Sequence, residues 1–252
     1  MEANFCLVSP FRVRHENTPK ETTMTISGKL EIEQQSPAPL VNTITAIDIL
    51  LEPDATMIQH AQAANARLLK NFPKGFTLGG QYAPHITVLQ RYVNTADLDK
   101  MYEAADEVFA KEKATSWNLK AFKYYYIPQK PIGLAGIVIE PTSDLLRLQR
   151  ELIGAVAPFT ATAGAAAAYV TTPQDPDILE AVIQYVKVFV PEHSGDHYSP
   201  HVTIGIGIID FLDAMLAQPF DSFTFSPVAA SVYHLGNYGT ATTKLHSFEL
   251  GK

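Results

Sequence analysis

The sequence predicts an α+β fold assembled from a duplicated strand–helix–strand unit, and three observations carry that expectation. The phrase Tyr82-Ala83-Pro84-His85-Ile86-Thr87-Val88 returns as Tyr198-Ser199-Pro200-His201-Val202-Thr203-Ile204, with Tyr, Pro, His and Thr in identical register. Each copy is preceded by the same series, an apolar strand, a Glu-Pro stop and an amphipathic helix. Several neighbouring strands are separated by turn signals alone, which favours mixed or antiparallel sheets over a fully parallel one.

The elements follow in order. Residues 43–51 are β-rich and apolar, Glu52-Pro53 ends them, and Asp54 is placed to cap a helix. Met57, Ala61, Ala64, Leu68 and Phe72 recur at helical spacing up to Pro73-Lys74-Gly75. After the first phrase, Leu98, Met101, Tyr102, Ala105, Val108 and Phe109 mark a second helix, and residues 116–127 read as a strand. The second half opens alike: an apolar strand at 134–139, Glu140-Pro141, then a helix carried by Leu145, Leu148, Leu152 and Val156. A helix over 176–190 precedes the second phrase. A short helix at 211–216, strands at 220–225 and 229–235, a turn at 236–239 and a closing strand at 244–250 follow it. From Pro53 to His85 is 85 − 53 = 32 positions, and from Pro141 to His201 is 201 − 141 = 60. The excess lies between Pro158 and Pro191 and reads either as a lid or wall beside the duplicated phrase, or as surface decoration.

Composition bounds the function. With 252 residues, 46% hydrophobic and 18% charged, the chain is expected to be globular, with residues 1–41 as an extended or mobile arm and 42–252 as one domain. Within that domain the first repeat spans about 42–130 and the second about 131–252. A net charge of −7 argues against a protein that coats long duplex nucleic acid, though not against a small anionic substrate. The single cysteine, Cys6, excludes an internal disulfide. No run is long and apolar enough to span a bilayer and no secretory leader is evident, so a cytoplasmic monomer without a membrane partner is expected.

The chemistry concentrates in the repeated phrase. Side chains at i and i+2 of a strand share a face, so His85 pairs with Thr87 and His201 with Thr203. Two imidazoles and two hydroxyls suit a phosphodiester: one ring takes a proton from the attacking oxygen and the other gives one to the leaving oxygen. The threonines would donate to the non-bridging oxygens. Such a pair needs neither metal nor cofactor, and none is expected. Continuing the alternation puts Leu89 and Arg91 on the catalytic face of the first strand, where Arg91 either meets an anion or forms a solvated strand end. The same count puts Gly205 and Gly207 on the second, leaving room for ligand bulk.

Paired His-x-Thr strands resemble the two-histidine (2H) phosphoesterase superfamily, and within it the bacterial 2′-5′ RNA ligase-like proteins. The likeness runs from about Asn42 to the C-terminus and includes Tyr238-Gly239-Thr240-Ala241 before Lys244-Leu245. It implies a pseudo-symmetric, two-lobed α+β fold with the motifs facing across a cleft. It also implies activity on 2′,3′-cyclic phosphates or 2′-5′ linkages of RNA ends or small nucleotides, carried by His85, Thr87, His201 and Thr203. On that basis His201 activates water and His85 protonates the leaving oxygen in cyclic-phosphate hydrolysis. A ligase using the same groups in reverse, or a module that captures a nucleotide or RNA end without turnover, are the alternatives.

Around this core, Tyr82 and Tyr198 are candidates for the cleft mouth and Tyr238 for a turn beside it. Within Tyr124-Tyr125-Tyr126, Tyr124 and Tyr126 share one face, and Tyr126 is the candidate to stack on a base or else a plain surface tyrosine. His193, His197 and His201 stand four apart, a ligand spacing on a helix, but Pro191, Gly195 and Pro200 argue against a continuous helix there.

Overall fold

The apolar run before Glu52-Pro53 forms strand β1 (Ile44–Pro53), and Asp54 begins helix α1 (Ala55–Asn71) by accepting from the amides of Thr56 and Met57. The coordinates are a computed structural model describing residues 43–80, 82–173 and 176–250. The arm expected over residues 1–41 lies outside the described residues.

The first phrase leads into β2 (Ile86–Asn94), followed by α2 (Leu98–Phe109) and β3 (Leu119–Gln129). The second half supplies β4 (Ile132–Ile139), α3 (Ser143–Val156), α4 (Glu180–His193) and β5 (His201–Ile208). It closes with α5 (Ile209–Leu216), β6 (Phe223–Phe225), β7 (Pro227–Leu235) and β8 (Ala241–Phe248). Helix α4 begins later than 176 and passes through Pro191, which sits in its last turn, before Ser194 ends it.

The strands form two four-stranded sheets, in the orders β2-β1-β7-β8 and β5-β4-β3-β6, with every pairing antiparallel. The lobes exchange strands. β3 of the first repeat joins the second sheet, and β7 and β8 of the second repeat complete the first. This arrangement is the two-lobed α+β fold that the resemblance implies. The core unites the inward faces of both sheets with the apolar stripes of α1, α2 and α3, where Met57, Leu68, Met101, Phe109, Leu145, Leu148 and Leu152 are buried. Each such aliphatic or aromatic side chain contributes about 1.5–3 kcal/mol by leaving water, so the stripes read from periodicity hold the lobes together.

Both phrase-bearing strands carry a β-bulge one residue past the threonine. In the first sheet the register passes from Leu50↔Thr87 to Ile49↔Leu89, leaving Val88 unpaired. In the second it passes from Gly136↔Thr203 to Ala135↔Gly205, leaving Ile204 unpaired. A bulge inverts the faces of everything beyond it. The position three residues after each threonine therefore returns to the face of the histidine.

Candidate active site

Pro84 and Pro200 keep the chain extended into each strand, and the histidine that follows is fixed through one ring nitrogen. His85 Nδ1–H donates to the carbonyl of Ala83 at 2.7 Å, and His201 Nδ1–H donates to that of Ser199 at 2.8 Å. Both neutral rings are thereby held in the tautomer that leaves Nε2 with its lone pair free. Burial lowers the proton affinity of both imidazoles. For His85 the Ala83 carbonyl and the Glu52 charge work against that, whereas for His201 the Ser199 carbonyl does so and the charge of His85 adds to the lowering.

His85, Thr87, His201 and Thr203 line one cavity of about 230 Å³. Gln90 and Gln129 add amides, Tyr185 and Tyr238 add rings, and no lysine or arginine lines it among the described residues. Helix α4 supplies Ala181, Val182 and Tyr185, so the insertion of the second half walls the cleft. An adjoining cavity of about 140 Å³ shares Thr87, Ile127, Tyr185 and His201 and is otherwise lined mainly by Tyr125, Phe189, His193, His197 and Tyr198.

Two buried amides bind the motif strands to each other, reciprocally across the lobes. On α1, Asn65 Nδ2 donates to the carbonyl of the bulge residue Ile204 at 2.9 Å, and its oxygen accepts from Leu78 N at 3.1 Å, ahead of the first phrase. On α3, Gln149 Nε2 donates to the carbonyl of the bulge residue Val88 at 3.0 Å, and its oxygen accepts from Gly195 N at 2.9 Å, ahead of the second phrase. Each helix thus ties the loop that enters one motif to the strand that leaves the other. Tyr198 adds a third tie, its hydroxyl donating to the Thr87 carbonyl at 2.7 Å.

Several expected site residues stand elsewhere. Beyond the bulge at Val88 the cleft-facing side chain is Gln90, and Arg91 does not line the cleft; its buried Nε has no hydrogen-bond partner. The inversion also corrects the two glycines. A Cβ on Gly205 would lie 2.7 Å from Asn65 Nδ2, and one on Gly207 would lie 3.0 Å from atoms of Leu212 and Leu68. They make room for α1 and α5, not for a ligand, and Gly205 also holds a φ of +130° that suits glycine. Tyr126 turns away and donates to Asp213 Oδ1 at 2.6 Å, while Tyr125 meets the His201 ring edge-on at 5.0 Å between centroids. Tyr82 stacks on Phe76 at 4.9 Å and borders a small recess with His85, Thr203 and Tyr238. Tyr198 is buried and commits its hydroxyl to the strand tie, though its ring lines the adjoining cavity.

The sequence reading missed Asp48. It lies in the middle of β1, fully buried, and receives Thr87 Oγ1 at 2.6 Å and Gln90 Nε2 at 3.0 Å on Oδ2. His85 Nε2 is 3.6 Å from the same oxygen, whereas Oδ1 is buried without a partner. Burial raises this carboxyl to about 7, against the hydrogen bonds from Thr87 and Gln90 that lower it. The available signal was a lone charge within an apolar strand, where an ionisable group is costly unless it has a task.

A two-lobed α+β fold with paired His-x-Thr strands lining one cleft is the class of protein that these observations define. No protein-family model matches the chain, and no curated protein matches it in sequence. Solved structures do. TT0787 of Thermus thermophilus superposes with a TM-score of 0.50 at 15% identity, over 82% of this chain and 100% of that one. The likeness establishes a shared fold. E. coli LigT, solved with phosphate, matches at a TM-score of 0.41 and 13% identity, over 83% of this chain and 99% of that one. Usb1 of Kluyveromyces marxianus matches at 0.41 and 9%, over 84% and 100%.

Proposed function

We propose that the protein is a metal-independent phosphoesterase that opens 2′,3′-cyclic phosphates or cleaves 2′-5′ phosphodiesters of small nucleotides or RNA ends. The observation that carries this reading is the matched pair of imidazoles. Both have Nδ1 locked to the carbonyl two residues back, and both line one cavity with a threonine beside each. In cyclic-phosphate hydrolysis His201 Nε2 accepts a proton from water as the water oxygen bonds to phosphorus. One ester P–O bond breaks, and His85 Nε2–H protonates the departing sugar oxygen. The Thr203 hydroxyl hydrogen-bonds no other described residue and is free to donate to a non-bridging oxygen as charge gathers there. Among the described residues no lysine or arginine lines the cleft, so the countercharge they supply is an imidazolium, which suits a singly charged diester better than a doubly charged monoester.

The test is a panel of 2′,3′-cyclic nucleotides, 2′-5′ dinucleotides and cyclic-phosphate RNA ends with products identified by mass. Conversion of a cyclic or 2′-5′ substrate, unaffected by EDTA, is expected. Tight binding without any product would favour a capture module instead.

A further inference from the structure

The two histidines share a tautomer but not an environment. Gln90 follows Thr87 by three residues and pairs with Asp48 across β1–β2. Ile206 follows Thr203 by three and pairs with Leu134 across β4–β5. The carboxyl–amide pair beneath the first motif is thus an apolar pair beneath the second.

We propose that Asp48 is a positioning residue that keeps a proton on the His85 side of the cleft and so leaves His201 as the base. The proposal rests on the acid–base reading above. Asp48, Thr87 and His85 form one unit that is electrically neutral when it holds a single ionisable proton, on the ring or on the carboxyl. In a buried site the neutral unit is favoured over the doubly protonated cation and over the bare anion. With the proton on His85, the ionised carboxylate 3.6 Å away supports the imidazolium and Thr87 donates to Asp48. With the proton on Asp48 Oδ2, the carboxyl donates to Thr87, whose own hydrogen is then free for the substrate.

The surroundings support this division. Thr87 and Gln90 face Asp48 from β2, and Tyr233 on β7 is its register partner. Glu52 on β1 raises the proton affinity of His85, and it is itself paired with Lys244 on β8 and bonded by Ser231 on β7. Tyr185 from α4 and Tyr198 ahead of β5 have phenols pushed up by burial and by the charge of Asp48, so neither ionises near neutrality. On the other side, Tyr125 packs against His201, and no carboxyl forms an ion pair with His201 among the described residues. During turnover the proton on His85 passes to the leaving oxygen and the unit regains one from solvent. His201 receives the proton of water and releases it.

The test compares the full-length wild type with Asp48→Asn in kcat/KM against pH on a 2′,3′-cyclic nucleotide, alongside NMR titration of the imidazole nitrogens without ligand. The alkaline limb reports the group that must be protonated. Loss of the carboxylate removes its support of the His85 imidazolium while burial still opposes the charge, so that limb should move at least one pH unit lower, a tenfold loss on the alkaline side. The acid limb, set by His201, should stay. In the titration His85 should drop to lower pH while His201 moves less. Superimposable profiles, or movement of the acid limb instead, would overturn the proposal. A wild type without turnover would defeat the acid–base reading, and the NMR comparison would still judge Asp48. If Asp48→Asn does not fold, the wild-type titration decides: two coupled steps are expected for His85, and a single step there would refute the coupling.

Discussion

The two motif sites differ where the repeated phrase is silent. Both present an imidazole with a free Nε2, a threonine two residues on and a bulge after it. Beneath the first lie Asp48 and Gln90; beneath the second lie Leu134 and Ile206. Duplication supplies two equal rings, whereas acid–base chemistry needs one charged and one neutral. A single carboxyl in one lobe is enough to make them unequal.

The comparison can be broken most forcefully at the rings themselves. His85→Ala and His201→Ala should each lower turnover by about 10²–10⁴-fold with the fold retained, as judged by circular dichroism and steady-state assay. Undiminished activity in either variant would end the enzymatic account. The threonines should then separate. Thr203→Val removes a free donor to the phosphoryl oxygens and should cost about 10²-fold in kcat. Thr87→Val, whose hydroxyl is engaged by Asp48, should cost less in kcat and should shift the pH profile.

Stability offers a third contrast. The folded Asp48 carboxyl is raised from 3.8 to about 7, so between those values the native state binds more protons than the unfolded chain. The contribution is full below the unfolded value and is lost as pH rises through about 7, amounting to at most about 4 kcal/mol. Denaturant midpoints of the wild type should therefore fall relative to Asp48→Asn from pH 4 to pH 8. A constant difference would mean that the carboxyl titrates normally. The reciprocal amide ties come next: Asn65→Leu and Gln149→Leu each strand a buried carbonyl and an amide, and should cost about 1–3 kcal/mol in chemical denaturation. The smallest effect belongs to Arg91→Ala, which should alter kcat/KM less than about twofold because its side chain lies off the cleft.

What could be read in the chain follows periodicity. The stripes of α1, α2 and α3, the Asp54 cap and the placement of His85 immediately ahead of its strand and of His201 at the start of its own were all legible. The bulges were not, because nothing in Val88 or Ile204 announces an unpaired residue. That one-residue slip moved Arg91 off the site and brought Gln90 in. Strand exchange between the lobes was equally hidden, since periodicity reports which face is apolar and not which sheet receives it. Tyr125 and Tyr126 illustrate the same limit: alternation separated them, but only the packing of α5 decided which faces the histidine.

The division of labour between the rings is tested most directly with two diesters that differ only in the leaving group. A nitrophenolate leaves without help from an acid, whereas a sugar hydroxyl needs a proton. For an aryl nucleotide diester, His85→Ala should regain turnover to within about tenfold of wild type, while His201→Ala stays inactive on both substrates. Rescue of His201→Ala in place of His85→Ala, or equal losses in both variants on the aryl ester, would contradict the assignment of acid and base.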